Sequence, residues 1–177
     1  RSVGTGDLDS DGDVDVVSCS SYDNEVSWYE NDGASDPTFS KHILLHAPPV
    51  VAPNLADNPM RIIVADITGD GALDIAWVSS DDDRVGMLMN AGGTPLGFTP
   101  RIVSDGQPNG PRQVAAGDVD GDGDMDLLAT GAFDDSVRWY RNDDGAGNSW
   151  TAQLITSTAD FAWAVSTADV DADGDVD

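Results

Sequence analysis

A nine-residue segment, Asp7-Leu-Asp9-Ser-Asp11-Gly12-Asp13-Val-Asp15, recurs three more times along the chain, and this repetition limits the fold more than any other feature. The later copies are Asp66-Ile-Thr68-Gly-Asp70-Gly71-Ala72-Leu-Asp74, Asp118-Val-Asp120-Gly-Asp122-Gly123-Asp124-Met-Asp126 and Asp169-Val-Asp171-Ala-Asp173-Gly174-Asp175-Val-Asp177, and their starts lie 59, 52 and 51 residues apart. A period near 50 residues describes an array of small units, each of which buries its faces against its neighbours. The loops hold 18 of the 33 acids, so the net charge of −25 is mostly a property of the loops. All but Glu25 and Glu30 of those acids are Asp, whose short arm suits placement by turns.

The pattern Asp-x-Asp-x-Asp-Gly-x-x-Asp has a direct coordination reading. Side chains at positions 1, 3, 5 and 9 and the backbone carbonyl of position 7 can wrap a hard cation that takes six to eight oxygens. In the first loop these are Asp7, Asp9, Asp11 and Asp15 with Asp13; in the second, Asp66, Thr68, Asp70 and Asp74 with Ala72. The third offers Asp118, Asp120, Asp122 and Asp126 with Asp124, and the fourth Asp169, Asp171, Asp173 and Asp177 with Asp175. Glycine at position 6 permits the sharp turn that aims these oxygens inward. Calcium, up to four ions, is therefore expected. Magnesium is the poorer candidate because it gives up water reluctantly, and zinc or copper would want imidazole or thiolate, which the loops lack. Thr68 replaces an acid at position 3, so the second site is expected to be weaker or to use water. An EF-hand would need Glu at position 12 between two helices, yet position 12 is Ser18, Trp77 or Ala129 in apolar, strand-like runs.

Aligned on the loops, the repeats share a strand plan. Val3, Ile62, Val114 and Val165 lie four positions ahead of the first Asp, and Thr5, Val64, Ala116 and Thr167 two ahead, the period of a strand. A second strand follows each loop, then a polar turn at Asp23-Asn24, Asp82-Asp83 or Asp134-Asp135, and a third strand from Val26, Val85 or Val137 to Asn31, Asn90 or Asn142. A fourth is read at residues 40–45, 98–103 and 150–155. Four short antiparallel strands per unit, without helical periodicity, are the plan of a β-propeller blade. The expected architecture is all-β: a partial propeller over 1–177, with units at about 1–58, 59–110 and 111–161 and an incomplete fourth at 162–177. Such a chain is expected to be a piece of a longer polypeptide or to take its remaining blades from other chains.

With these residues laid out, the chain resembles the FG-GAP-like, or VCBS, repeat family of integrin-α-type propellers. The segments Trp28-Tyr29-Glu30-Asn31 and Trp139-Tyr140-Arg141-Asn142 look like that family's Trp-Tyr-x-Asn strand. The literal Phe-Gly and Gly-Ala-Pro signatures are absent, which points to the VCBS-like branch. The resemblance implies calcium-bearing blades in a propeller of about seven. The function expected is that of a non-enzymatic, calcium-binding extracellular or cell-surface module with a structural or adhesion role toward protein or glycan. The alternative is the propeller part of a secreted polysaccharide lyase or glycoside hydrolase.

Other classes are poorly served. A charge of −25 opposes nucleic acid and anionic lipid, and no apolar run is long enough to cross a bilayer. Cys19, the single cysteine, sits in a strand-like run and reads as a small core residue. The repeated Trp28-Tyr29 and Trp139-Tyr140 read as core, since Met87-Leu88 replaces them in the second unit. His42 and His46 read as surface groups on a strand. Trp163 has no aromatic counterpart at Arg1 or Met60 and is the better candidate for a ligand platform. The proline-rich linker of residues 47–59 reads as an extended insertion.

Overall fold

The computed structural model describes residues 1–46, 56–93, 96–172 and 176. Most of the proline-rich linker and three acids of the last loop, Asp173, Asp175 and Asp177, lie outside the described residues. Among the described residues there are twelve strands and no helix. The first sheet contains β1 (Ser2–Gly6), β2 (Asp15–Ser20), β3 (Glu25–Asn31) and β4 (Phe39–Leu45). The second contains β5 (Pro59–Ala65), β6 (Asp74–Ser79), β7 (Arg84–Asn90) and β8 (Phe98–Asp105). The third contains β9 (Pro111–Gly117), β10 (Asp126–Gly131), β11 (Ser136–Asn142) and β12 (Trp150–Thr156). Each is an antiparallel meander in chain order, the blade plan that the repeats imply. The three blades do not close into a ring.

Local chemistry explains the boundaries. Each of the first three Asp-rich loops joins the first two strands of a blade, and its ninth residue is the first residue of the second strand. The next turn is closed by Asn24, Asp83 or Asp135 with φ of 53°, 52° and 53°, a left-handed conformation that Asn and Asp tolerate better than other non-glycine residues. The pairing of the third and fourth strands slips at equivalent places, Val26/Ser27, Val85/Gly86 and Val137/Arg138, so the bulge belongs to the repeat.

Blades stack through alternate residues. β1 lies against β5 and β5 against β9, with the first strands innermost. Val17, Cys19, Val26 and Trp28 of the first blade meet Ile62, Ile75, Trp77 and Leu88 of the second in one core. Ala76, Val78, Val85 and Met87 of the second meet Val114, Leu127, Ala129 and Tyr140 of the third in another. Cys19 is buried as expected. The incoming face of the first blade has no such neighbour. Val3 is 67 % exposed whereas Ile62 and Val114, at equivalent positions, are 3 % and 0 %. Of the repeated aromatics, Trp28 and Tyr140 are buried, and Tyr29 and Trp139 are half-buried because they point to uncovered faces.

Tyr140 makes one of these interfaces sensitive to alkali. Its hydroxyl donates to the Gln107 carbonyl at 3.0 Å, and burial pushes its pKa up to about 12. The unfolded phenol ionises near its ordinary value of about 10, so the stabilisation is complete below that pH and is lost as pH rises toward 12. About 3 kcal/mol of stability should disappear across that window, read as a falling urea midpoint. Tyr140→Phe should flatten the decline; an equally steep decline in that variant would remove Tyr140 as its cause.

Candidate metal centres

The ninth residue of the first three loops is the fixed point from which the loop is built. Asp15, Asp74 and Asp126 are fully buried. One oxygen of each accepts the backbone N–H of the loop's second residue: Leu8 to Asp15 at 3.1 Å, Ile67 to Asp74 at 2.9 Å and Val119 to Asp126 at 3.1 Å. The other accepts the N–H at the end of the third strand, from Asn31 at 2.9 Å, Asn90 at 2.8 Å and Asn142 at 2.8 Å. Asp74 takes a third N–H, from Thr68, at 3.0 Å. One carboxylate thus ties together the loop, the second strand and the third.

The first residue of each loop organises the turn above it. Asp7 accepts from the N–H groups of Asp11 at 3.1 Å and Gly12 at 3.0 Å, and Asp66 and Asp118 repeat the arrangement. Gly12, Gly71 and Gly123 have φ of 99°, 89° and 95°, so position 6 needs the left-handed freedom of glycine. Position 5 turns to its own loop: Asp11, Asp70 and Asp122 accept the N–H of position 7 at 2.9, 2.9 and 3.0 Å.

Three carboxylates converge in two of the loops. Asp7, Asp9 and Asp15 offer oxygens all within 4.8 Å of one another, and so do Asp118, Asp120 and Asp126. The positions expected to ligate through carboxylates were 1, 3, 5 and 9; the geometry brings 1, 3 and 9 together and leaves Asp11 and Asp122 outside the triads. Burial, then repulsion from Asp11 and Asp15, pushes the Asp9 carboxyl above the ordinary carboxylate range. Asp120 is pushed up in the same direction by loss of water and by Asp122 and Asp126. Within each triad, therefore, negative oxygens crowd against one another. The donors are all hard oxygens, a set that suits calcium or magnesium and not a thiophilic metal.

The second loop forms no such triad among the described residues, as the Thr68 substitution suggests. Asp66, Asp70 and Asp74 keep the hydrogen bonds of their counterparts, so the loop folds alike without the third carboxylate. Asp13 and Asp124 point outward against Gly33 and Gly145, where any β-carbon would strike their carboxylates. Asp169 and Asp171 of the fourth loop belong to no triad among the described residues, which leave out Asp173, Asp175 and Asp177.

Residues outside the expected set link one centre to the next blade. Asn90 Nδ2 donates to the Leu73 carbonyl of its own loop at 3.1 Å and to the Leu8 carbonyl of the preceding blade's loop at 2.8 Å. Asn142 does the same to Met125 and Ile67, at 3.2 Å each. Their own N–H groups hold Asp74 and Asp126, so each Asn couples two loops. The signal was in the sequence: Asn31, Asn90 and Asn142 each fall 24 residues after the start of their loop.

His42 is half-buried, pairs through Nε2 with Glu30 at 2.8 Å and stacks on Trp28 with ring centroids 4.5 Å apart. It lies beside Asp9 and Asp11 in a cleft of about 470 Å³ between the first two blades.

Models of known protein families match this chain in three places. The FG-GAP-like repeat model matches residues 7–77 and 66–129, and the FG-GAP repeat model matches residues 110–151. The last match covers the third blade although the literal Phe-Gly and Gly-Ala-Pro signatures are missing. No curated protein matches the chain.

Proposed function

Because the chain belongs to the FG-GAP-like repeat family, we propose that it is a calcium-stabilised β-propeller module of an extracellular or cell-surface protein, with a structural or adhesion role toward glycan or protein. The convergence of Asp7, Asp9 and Asp15, repeated by Asp118, Asp120 and Asp126, is the observation that carries this reading. These residues would hold the two best-formed ions; a bound divalent cation supplies the counter-charge that the carboxylates lack. Asp15 and Asp126 also hold the second and third strands, so binding at the loop is coupled to folding of the blade. Extracellular modules bind calcium at about 10⁻⁴–10⁻³ M, which suits loops that would be empty in a resting cytosol. The reading is of a binding module and not of an enzyme; what supports it is that 18 of the 31 aspartates lie in the four loops.

Calorimetry with and without chelator tests it. Calcium at a hundredfold excess over its dissociation constant should add about 2.7 kcal/mol per occupied site, seen as a rise in melting temperature. Asp9→Asn and Asp120→Asn should each remove one of these increments and leave the metal-free melting temperature little changed. An identical melt in chelator, with no heat on calcium titration, would remove the proposal. Incubation with neutral and acidic polysaccharides should give binding without cleavage.

A further inference from the structure

At the rim opposite the acidic loops, the innermost strands converge. The residues six positions ahead of each loop's first Asp are Arg1, Met60, Arg112 and Trp163, and with Arg61 they line one cleft of about 230 Å³. Arg1 directly precedes the first strand of its blade, and Met60 and Arg112 are the second residues of theirs, whereas the acidic loop follows that strand. The five residues of β1 separate the two rims by about 17 Å.

This mouth concentrates positive charge in a chain that has little of it. Three of the eight cationic residues are here, against 33 acids overall. Lys41, Arg84, Arg138 and Arg141 each form an ion pair with a carboxylate. Arg1, Arg61 and Arg112 form none among the described residues, and no carboxylate lines the cleft. Arg1 Nε donates to Ser21 Oγ at 2.7 Å and Arg61 Nε to Gln113 Oε1 at 2.6 Å, neutral partners that orient without cancelling the charge. The Arg112 guanidinium carbon sits 5.2 Å from the Phe133 ring centre and 5.3 Å from that of Trp163, and its Nε is buried without a hydrogen-bond partner. Two aromatic rings thus hold the guanidinium in place. Phe161 braces Trp163 at 5.7 Å, yet Trp163 stays 57 % exposed.

We propose that this axial mouth binds a carboxylate-bearing saccharide, a uronate unit of an acidic glycan, with Arg112 and Arg61 taking the carboxylate and Trp163 offering a stacking face to the sugar ring. A guanidinium fork matches a carboxylate in two parallel hydrogen bonds, and this mouth offers that anion a cationic setting which the rest of an acidic protein lacks. The aromatic platform beside it selects a ring that presents C–H groups, which an extended acidic peptide lacks. The assignment rests on the reading of the chain as a glycan-binding module and names the class of glycan, but its geometry is independent of the metal centres.

The test is calorimetric titration of the whole 177-residue chain, in saturating calcium, with an oligoglucuronate and with the cello-oligosaccharide of equal length, which differ only at C6. The acid should bind and the neutral sugar should bind at least about tenfold more weakly, with the preference shrinking in added salt. Arg112→Gln and Trp163→Ala should each weaken the acid by about tenfold or more while the calcium-dependent rise in melting temperature persists. Should Arg112→Gln fail to fold, Arg61→Gln, at an exposed position, is expected to weaken the acid severalfold. No binding, equal binding of the neutral sugar, equal binding of a polyglutamate peptide, or indifference to these variants would overturn the proposal. Loss of the calcium response in the parent chain would instead strike the metal-centre reading.

Discussion

Asp74→Ala should lower the free energy of unfolding by about 4–5 kcal/mol, and by a similar amount in chelator. The carboxylate is fully buried and accepts three backbone N–H groups, from Ile67 at 2.9 Å, Thr68 at 3.0 Å and Asn90 at 2.8 Å. Each donor left without a partner away from water costs about 1–3 kcal/mol, and three in one place do not relax independently. Burial pushes the Asp74 carboxyl above the ordinary range even against those three donors, so the side chain is tolerated for what it holds and not for any ease of burying it. Its loop lacks a carboxylate triad, which separates this structural duty from metal binding. Asp74→Asn keeps a carbonyl acceptor and should cost about half as much. Urea denaturation in calcium and in chelator reads both variants. A loss confined to the calcium-loaded protein would show that the role of Asp74 is only that of a ligand.

Trp77→Ala should cost about 3–5 kcal/mol, the range for deleting a large buried aromatic. The ring is completely buried in the interface between the first two blades, beside Ile62, Ile75 and Leu88. Gly86 lies opposite it in the register, and a β-carbon there would collide with the ring. The equivalent positions in the other blades hold Ser18 opposite Ser27 and Ala129 opposite Arg138, so the wide indole and the missing side chain form a matched pair in the middle blade. Gly86→Val should therefore also destabilise, by about 1–3 kcal/mol through overpacking, and Trp77→Ala should ease that penalty in the double variant. Denaturant midpoints for the four proteins make the cycle. A cost of less than about 1 kcal/mol for Trp77→Ala would show that the blades are only loosely packed together.

Much of this architecture was readable before any coordinates because the loops recur. Aligning them placed all twelve strands and the polar turn after each second strand, since a strand between two fixed turns has little freedom in length or register; the strand expected around Val165 and Thr167 does not form among the described residues. Burial was less legible. Trp28 and Tyr29 are neighbours on one strand and point to opposite faces, so which is buried depends on whether another blade covers that face. The same reasoning explains why Val3 is exposed and Ile62 is not. Within the loops, sequence identified the acids but not their division of labour. Asp11 and Asp122 each give one oxygen to the N–H of position 7 and lie outside the triads, a placement set by turn geometry that composition does not record. The contacts of Asn90 and Asn142 with the preceding loop were hidden for another reason, because they join residues 82 and 75 positions apart. Trp163 stood out as an aromatic without aromatic counterparts; only the fold shows that it shares one mouth with the residues at the equivalent positions, Arg1, Met60 and Arg112.

The Asn side chains of the second and third blades reach back to the loop before them, not forward, and the apolar faces follow the same sense. Val16, Tyr29 and Phe39 form the uncovered incoming face of the first blade, while Leu128 and Trp139 belong to the outgoing face of the third. The two surfaces differ, so neither is its own complement. Copies that meet through them must join head to tail, which generates a ring or an open spiral and never a two-fold dimer.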